Sequence, residues 1–280
     1  MVSFWRRLPL LGAAAWLSAV VWMSGAASAE ALNVKRLEPQ ERETLQAVLI
    51  ALDPAISAKK RDGTANVLTW DELYAPLAPE QRAFLDELRK LKAASLGATS
   101  RFFGEAAGAD LAPVGPQQVM KDGASAPLDP QHLPREVLAA YERMMDAMRR
   151  DQGRRLLVES GYRSPAYQLY LFMYYMPKHD WSIVETNRFV ALPGHSEHGY
   201  PPRQAIDFIN ESGVNGEDHP EEFEALPEYR WLQQRAHEFG FAISYPRGNA
   251  QHTSFEPWHW HFEDQENATG SQGHTSQRHM

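Results

Sequence analysis

The sequence contains no cysteine among its 280 residues. Disulfide bonds, thiolate metal ligands and cysteine nucleophiles are therefore excluded, so any metal site has to use imidazole and carboxylate groups. Basic residues are also scarce relative to acidic ones, since 28 Lys and Arg stand against 36 Asp and Glu, giving a formal net charge of −8. This balance argues against nucleic acid as a partner, because a phosphate backbone is bound through clustered positive charge.

The N-terminus has the features of an export signal. Arg6 and Arg7 precede an apolar run from about residue 8 to residue 23, and Ala27-Ser28-Ala29 gives the small-x-small pattern of a secretory cleavage site. We predict a signal peptide over residues 1–29 and an exported mature chain, periplasmic or associated with the cell wall, with no membrane contact after cleavage. An uncleaved anchor is the alternative, although the run is short for a membrane span. Removing residues 1–29 deletes two arginines and no acidic residue, so the mature net charge is −8 − 2 = −10.

The mature chain of roughly 250 residues is long enough for one sizeable core and an accessory region. Residues 30–104 are predicted to be a helical accessory region, with helices that start near Pro39 and Pro79. Residues 105–134 are rich in Ala, Gly and Pro, which predicts a linker or a long wrapping loop. Residues 135–264 alternate between helical and extended patterns, and the polar residues 265–280 are predicted to be a disordered tail.

The second half of the chain predicts an α+β fold. A helix is expected from about residue 135 to 150, a strand at 156–158, a helix that opens at Pro165, and a helix at 228–239 that ends at Gly240. Helices packed on a small antiparallel sheet would place chemical groups from neighbouring strands next to one another. The expected architecture is such a sheet, carrying a metal site and preceded by the helical N-terminal region.

Two segments near the C-terminus carry most of the candidate chemistry. They are residues 193–207 (PGHSEHGYPPRQAID) and residues 256–262 (EPWHWHF). Zinc hydrolases bind the metal through three His, Asp or Glu ligands and leave one position open for water. A further carboxylate can then accept a proton from that water. We predict a single zinc ion with ligands His198, Asp207 and His259, and Glu256 as the general base.

Each of these residues also has a simpler interpretation. Asp207 lies in the apolar run Ala-Ile-Asp-Phe-Ile, which is typical of a buried strand, and a buried carboxylate needs a partner. A salt bridge to an arginine would satisfy it as well as a metal. Glu256 and His259 would lie on opposite faces of a regular strand, because side chains alternate. Pro257 offers a solution, since proline is found at strand edges and bulges where the chain bends.

Three blocks of residues follow one another along the chain. They are Ser160-Gly161-Tyr162-Arg163-Ser164 with Gln168, then Pro193-Gly194-His195-Ser196-Glu197-His198 with Asp207, and then Glu256-Pro257-Trp258-His259. In this order the blocks resemble the zinc D-Ala-D-Ala carboxypeptidases of the vancomycin-resistance type, within the group that includes lysostaphin-like and hedgehog-like domains. The resemblance covers about residues 130 to 264.

The resemblance implies roles for single residues. His198, Asp207 and His259 would bind zinc, Glu256 would be the base, and Arg163 would stabilise the oxyanion. A fixed guanidinium suits that role because it stays charged and contributes more as negative charge develops on the carbonyl oxygen. An ordinary surface or turn arginine is the alternative for Arg163. Ser196 and Gln168 would orient the peptide termini, although either could simply cap a helix or face solvent.

The sequence departs from the family pattern at two places. Eight residues separate His198 from Asp207, where six are usual, so Pro201-Pro202-Arg203 reads as a two-residue insertion. His261 stands where an arginine or another polar residue is commoner in the family. With His259 it forms the His-x-His pattern of the lysostaphin-like proteins, in which the second histidine is the ligand, and this pattern would make His261 the ligand. We prefer His259, because Glu256 precedes it by three positions. His261 then becomes a group that supports the ligands or transfers protons. His195 is expected to flank the site without binding metal.

The predicted activity is removal of a C-terminal D-alanine from peptidoglycan stem peptides by an exported zinc peptidase. The D-alanine specificity rests on the resemblance alone. An L,D-carboxypeptidase, a cross-link endopeptidase and a catalytically inactive peptidoglycan-binding protein remain open. The oligomeric state also remains open. A serine hydrolase built on Ser196 and His198 is disfavoured, because the serine lacks the strand-to-helix turn that exposes such nucleophiles.

Overall fold

The computed structural model of the chain describes residues 32–97, 101–105, 110–121, 123–217, 219–249 and 254–263. The predicted signal peptide and C-terminal tail lie outside these ranges. The helices in the described residues are α1 (Pro39–Arg61), α2 (Trp70–Tyr74), α3 (Pro79–Arg89), α4 (Arg135–Gln152), α5 (Pro165–Tyr175), α6 (Ile183–Thr186), α7 (Pro220–Glu224) and α8 (Pro227–Arg235). The strands are β1 (Leu111–Pro113), β2 (Gln118–Lys121), β3 (Ala124–Pro127), β4 (His132–Pro134), β5 (Leu156–Ser160), β6 (Ala205–Asn210), β7 (Phe241–Ile243) and β8 (His259–Phe262).

The helices of the N-terminal half begin where the sequence predicts. Pro39 and Pro79 occupy the first turns of α1 and α3, where the missing backbone N–H costs nothing. In α1 the Glu41 carboxylate accepts a hydrogen bond from the backbone N–H of Glu38 at 2.6 Å, which satisfies one of the free donors of the first turn. The last α-helix of this half ends at Arg89 and is followed by a 3-10 turn at Ala93–Leu96, and residues 101–105 are not helical.

These N-terminal helices share one hydrophobic core with α5. Helix α5 has the sequence PAYQLYLFMYY, and its residues 166–173 are all buried. A helix that is apolar on every side has to be covered on every side. Helices α1 and α2 supply part of that cover. The region predicted as accessory is therefore packed directly against a helix of the second half of the chain.

The main sheet has four antiparallel strands in the order β5-β6-β8-β7. Its alternating side chains separate two faces. One face packs on α4 and α8 through apolar side chains that include Val158, Ile206, Phe208 and Trp260. The opposite face carries Asp207 and His259. The α+β prediction is confirmed, with the candidate site on one face of the sheet and a helical core behind the other.

The segment at 105–134 has more regular structure than a linker or loop. Strands β1 and β4 pair antiparallel, and β2 and β3 form a second antiparallel pair. Val119 of β2 packs on Leu157 and Ile209, which lie on the site-bearing face of the main sheet. The segment therefore covers the part of that face next to the candidate site. None of the helices in the described ranges combines the length and the hydropathy that a membrane-spanning helix needs.

Candidate metal centre and active site

The strand register of the main sheet brings the central candidates together. Asp207 on β6 lies directly opposite His259 on β8, and Ser160 on β5 lies opposite Asp207 on the other side. A register irregularity between Val158 and Ser160 places Ser160 in this row. Facing residues of antiparallel strands have neighbouring side chains. The Asp207 carboxylate is thus enclosed between two strands, on a strand whose six residues are all buried.

His198 approaches the same carboxylate from a 3-10 turn at Glu197–Gly199. Its Nε2 lies 3.0 Å from Asp207 Oδ2, and its Nδ1 donates to the backbone carbonyl of Gly161 at 2.7 Å. This carbonyl contact fixes the tautomer and leaves Nε2 free to bind a metal. Gly161 is required here, because a Cβ at this position would stand 2.5 Å from the carbonyl oxygen of His132.

Glu256 and His259 lie on the same side of a turn, which resolves the alternation problem. Pro257 and Trp258 form the turn just before β8, and the backbone N–H of His259 donates to the carbonyl of Glu256 at 3.2 Å. Glu256 Oε2 lies 3.9 Å from Nδ1 of His259, and the same Nδ1 lies 2.7 Å from Asp207 Oδ1. The bend at Pro257 is a turn outside the strand and not a bulge within it.

Three buried groups could hold a metal ion. One ligand atom each of His198, Asp207 and His259 lies within 4.8 Å of the others. Two imidazoles and one carboxylate form a donor set that zinc accepts readily in hydrolases, with one position left for water. The residues fit such an ion. His261 is not part of this group, and neither is His195.

Arg163 lies next to the same cluster, at the end of β5. Its Nη2 donates to Asp207 Oδ2 at 2.8 Å and lies 3.2 Å from His198 Nε2, while its Nε donates to Ser160 Oγ at 2.8 Å. The arginine partner that the sequence offered as an alternative for Asp207 is therefore present, and it is Arg163. The guanidinium is mostly buried and firmly held, unlike an ordinary surface arginine.

Burial and neighbouring charge set the protonation of the cluster. Burial raises the pKa of Glu256 to about 7, despite the opposing effect of His259. Burial lowers the pKa of His198 to about 4, and the charge of Arg163 acts in the same direction. Burial also opposes the charged forms of His259 and Asp207, but the attraction between these two groups outweighs it. The Asp207 carboxylate raises the pKa of His259 to about 10, and the imidazoles of His198 and His259 hold the pKa of Asp207 well below its usual value.

Glu197 is a buried group of the site that sequence reasoning missed. Its Oε1 accepts a hydrogen bond from Arg203 Nε at 2.8 Å. Its Oε2 accepts one from Ser244 Oγ at 2.5 Å and lies 3.1 Å from His259 Nε2. Burial disfavours its ionised form, but the contacts with His259 hold its pKa well below the usual value. The sequence shows Glu197 only as part of Ser-Glu-His-Gly, and nothing local indicates that it is buried.

Two of the remaining predicted site residues, Gln168 and His261, are buried and make contacts within the protein. Gln168 donates through Nε2 to the carbonyl of Ala191 at 2.7 Å. His261 lies 2.7 Å from Ser244 Oγ through Nδ1 and 2.9 Å from Glu263 Oε1 through Nε2. Ser196 differs from both, because it is partly exposed and directly precedes the turn that carries His198.

The N-terminal region holds the chain beside Arg163. The backbone N–H of Ser164 donates to the carbonyl of Asn66 at 2.8 Å, and Ser164 Oγ donates to the carbonyl of Leu68 at 2.5 Å. The same hydroxyl accepts from the N–H of Tyr167 at 3.1 Å and so caps α5. The loop at residues 65–68 is thus bonded to the residue next to Arg163.

Residues 130–265 match the family model described as "VanY: D-alanyl-D-alanine carboxypeptidase". The match includes every residue of the cluster. The chain is therefore similar to the VanY family over these residues, which are just under half of its length. The family resemblance derived from the three sequence blocks is therefore confirmed.

Individual curated proteins are similar to this chain over part of their length. Protein YodJ of Bacillus subtilis is 31% identical over 134 residues, which are 46% of this chain and 45% of YodJ. The D-alanyl-D-alanine carboxypeptidase of Enterococcus faecalis is 35% identical over 88 residues, 31% of this chain and 29% of that protein. The bifunctional D-Ala-D-Ala dipeptidase and carboxypeptidase VanXYC of Enterococcus gallinarum is 28% identical over 139 residues, 47% of this chain and 67% of that protein. The chain thus spans less than half the length of the first two.

A solved structure of the LD-carboxypeptidase LdcB is also similar to the chain. It has a TM-score of 0.44 and 27% identity, over 58% of this chain and 72% of that one.

Proposed function

We propose that this protein is an exported, zinc-dependent peptidase that removes the C-terminal D-alanine from peptidoglycan stem peptides. The observation that carries the proposal is the buried cluster of His198, Asp207 and His259, with Glu256 at 3.9 Å from the last of them. The similarity to the VanY family and the activities named for the two enterococcal relatives support the same reaction and the same peptide ending.

His198, Asp207 and His259 are the residues that would hold the zinc ion. The metal, when bound, would supply a Lewis acid for the peptide carbonyl and would acidify the attacking water. The rest of the chemistry falls to side chains of the chain itself. Glu197 has no need to be a fourth ligand, because its carboxylate already accepts from Arg203 and Ser244.

Glu256 is the proposed general base and acid. Its carboxylate is partly exposed, with 28% of the side-chain surface accessible, and it lies beside the ligand cluster. This position allows it to take a proton from the attacking water and to pass that proton to the leaving amine. A site that serves structure alone typically uses four protein ligands and needs no such carboxylate. Glu256 therefore favours the enzyme over the inactive binding protein.

Arg163 is the proposed stabiliser of the developing oxyanion. The guanidinium is fixed by Ser160 and Asp207 at the edge of the cluster, at 2.8 Å from each. A positive group that is already oriented stabilises negative charge on the carbonyl oxygen without rearrangement during the reaction. Because it also contacts Asp207 and His198, Arg163 places a positive charge beside the ligand cluster.

The remaining predicted residues take different roles in this proposal. Ser196, which is partly exposed, is the proposed contact to the peptide terminus. Gln168 and His261 are buried, so we propose that they act through what they hold. Gln168 fixes the backbone at Ala191, shortly before the turn that carries His198. Residues 135–264 would form the peptidase domain and residues 30–104 its structural support.

Export follows from the substrate and from the N-terminal sequence. Peptidoglycan lies outside the cytoplasm, and residues 1–29 carry the charged, apolar and small-residue segments of a secretory signal. The mature chain, with its net charge of −8 − 2 = −10, would act on stem peptides and has no charge pattern for nucleic acid.

The decisive experiment is digestion of purified peptidoglycan by the mature protein, with and without a chelator, and with Glu256→Gln as the matched inactive variant. Products are identified by mass spectrometry. We expect pentapeptide stems to become tetrapeptides, with loss of activity in chelator and recovery with zinc. Conversion of tetrapeptides to tripeptides would replace the proposal with an L,D-carboxypeptidase, and separation of cross-linked dimers would replace it with an endopeptidase. If folded, zinc-loaded protein releases no product, the inactive peptidoglycan-binding protein is the interpretation that remains.

A further inference from the structure

The buried carboxylate of Glu197 is the centre of a polar network behind the metal ligands. It is 5% exposed, and it is surrounded by three donors: Arg203 Nε at 2.8 Å, Ser244 Oγ at 2.5 Å and His259 Nε2 at 3.1 Å. An ionised carboxylate at such a depth is costly unless it is paired and hydrogen-bonded. Glu197 is both, so its ionised form can persist inside the fold.

The network closes on itself through two further side chains. Ser244 Oγ also lies 2.7 Å from His261 Nδ1, and His261 Nε2 lies 2.9 Å from Glu263 Oε1. Arg203 contacts that same Glu263 oxygen through Nη1. Glu197, Arg203, Glu263, His261 and Ser244 therefore form a closed ring. Its members come from the turn beside His198, the turn at Pro201–Arg203, strand β8 with its end, and the residue after β7.

The side chains of the ring reach the ligand cluster at Nε2 of His259, through Glu197. The other ring nitrogen, Nδ1, is the one that faces Asp207 at 2.7 Å. When a metal takes the place of the proton on Nδ1, a carboxylate that accepts a hydrogen bond from Nε2 fixes the plane of the imidazole. The contact between Glu197 and Nε2 thus leaves Nδ1 as the nitrogen that His259 would present to a metal.

Arg203 is the cation that joins the two carboxylates of the ring. It lies in the segment Pro201–Arg203, where the sequence carries its two-residue insertion, and its side chain is 29% exposed. His261, the second departure from the family pattern, is also a member of the ring. The two unusual features of the sequence therefore meet in one set of contacts around Glu197.

We infer that Glu197 is a positioning residue for the zinc ligand His259, and that Arg203 and Ser244 hold the Glu197 side chain in place for that purpose. The inference rests on the proposed zinc site, but it concerns the affinity for the metal and not the reaction. Loss of the carboxylate removes the acceptor for Nε2 of His259 and lets the imidazole rotate or change tautomer. Loss of Arg203 weakens the same contact indirectly, through Glu197.

The test is the dissociation constant for Zn²⁺ alone, measured on the metal-stripped full protein by competition with a chelator of known affinity. Glu197→Gln preserves the size of the side chain and is expected to raise the constant by about 10- to 100-fold. Arg203→Gln is expected to raise the dissociation constant less, and Arg203→Lys is expected to retain part of the affinity that Arg203→Gln loses. The double variant should bind no more weakly than Glu197→Gln, because Arg203 acts through Glu197. Arg188→Gln, which removes an exposed ion pair to Glu185, is the matched control and should leave the constant unchanged.

A second readout addresses the orientation of the ligand directly. The ¹⁵N signals of His259 in the zinc-loaded protein should show a protected proton on Nε2, and Glu197→Gln should remove that protection. A folded Glu197→Gln protein that binds zinc within about twofold of the parent would overturn the inference, as would additive effects in the double variant. If Glu197→Gln does not fold, as judged by thermal melting, the zinc affinity of Arg203→Gln is compared with that of the parent instead, because Arg203 is more exposed.

The zinc measurement needs no peptide substrate, so it separates the two proposals. A parent protein that binds zinc and cleaves no stem peptide refutes the proposed carboxypeptidase, while the Glu197 comparison still stands or falls on its own. A parent protein with no measurable affinity for zinc overturns both.

Discussion

Asp207 and His259 face each other directly across two antiparallel strands, and Asp207 Oδ1 lies 2.7 Å from His259 Nδ1. The strand register therefore creates the ligand pair. A slip of one residue would turn His259 to the opposite face of the sheet, where Trp260 now packs into the core. His198 is added to the pair by a turn, and the hydrogen bond from its Nδ1 to Gly161 sets its orientation.

Replacement of the proposed base should separate metal binding from catalysis. Glu256→Gln is expected to retain one zinc ion and to lower kcat by on the order of 10²-fold or more, because general acid–base catalysis typically contributes that much. The measurement is kcat on a peptide ending in D-Ala-D-Ala, together with the zinc content of the purified protein. Activity close to that of the parent would remove Glu256 from the role of base.

The two histidines of β8 should differ in metal binding. His259→Ala is expected to lose the zinc ion, since one of its nitrogens belongs to the ligand cluster. His261→Ala should still hold zinc, because its nitrogens contact Ser244 and Glu263 instead. Metal content by elemental analysis after gel filtration checks both variants. The reverse result would assign the ligand to the second histidine of the His-x-His pattern.

Arg163 should matter for turnover and not for zinc affinity. Arg163→Gln is expected to lower kcat by about 10²-fold or more, by analogy with loss of an oxyanion donor. Zinc binding should not weaken, because the guanidinium contacts Asp207 and His198 as a competitor of the metal. Kinetics and zinc titration of the same preparation test this. A loss of affinity with kcat intact would make Arg163 a structural residue.

The cap of α5 should link stability to activity. Ser164→Ala removes the hydroxyl that accepts from Tyr167 and donates to Leu68, and it should cost about 1 kcal/mol of unfolding free energy. It should also lower kcat/KM, because the capping residue is next to Arg163. Ser182→Ala is the matched control, since Ser182 is a buried cap that accepts from Glu185. Urea denaturation should show a loss in both variants and kinetics a loss only in the first. Equal kinetic constants in the two variants would show that the cap of α5 has no specific effect on the site.

Local sequence patterns predicted what is determined locally. The apolar run around Asp207 indicated a buried strand, Pro39 and Pro79 marked helix starts, and Gly240 precedes β7 as expected. Pro257 indicated a bend between Glu256 and His259, and the chain turns there. These features depend on neighbouring residues, so sequence reasoning could reach them.

What could not be predicted depends on tertiary packing. Strands β1 to β4 have three or four residues each and lack the alternation that marks a half-buried strand, so residues 105–134 read as a linker. The buried Glu197 is bonded to Ser244, which lies 47 positions away. One missed feature did have a signal. Helix α5 is apolar all around, which indicated cover on both sides and hence a role for the N-terminal helices.

The bond between Ser164 and Leu68 joins positions 96 apart in the chain. Contacts of such separation form late, because the entropy of closing the intervening loop has to be overcome first. Helix α4 is stabilised largely by local contacts, whereas the surroundings of Arg163 include this long-range contact with the N-terminal region. The entropy of closing a long loop is thus part of what it costs to build the surroundings of the proposed oxyanion residue.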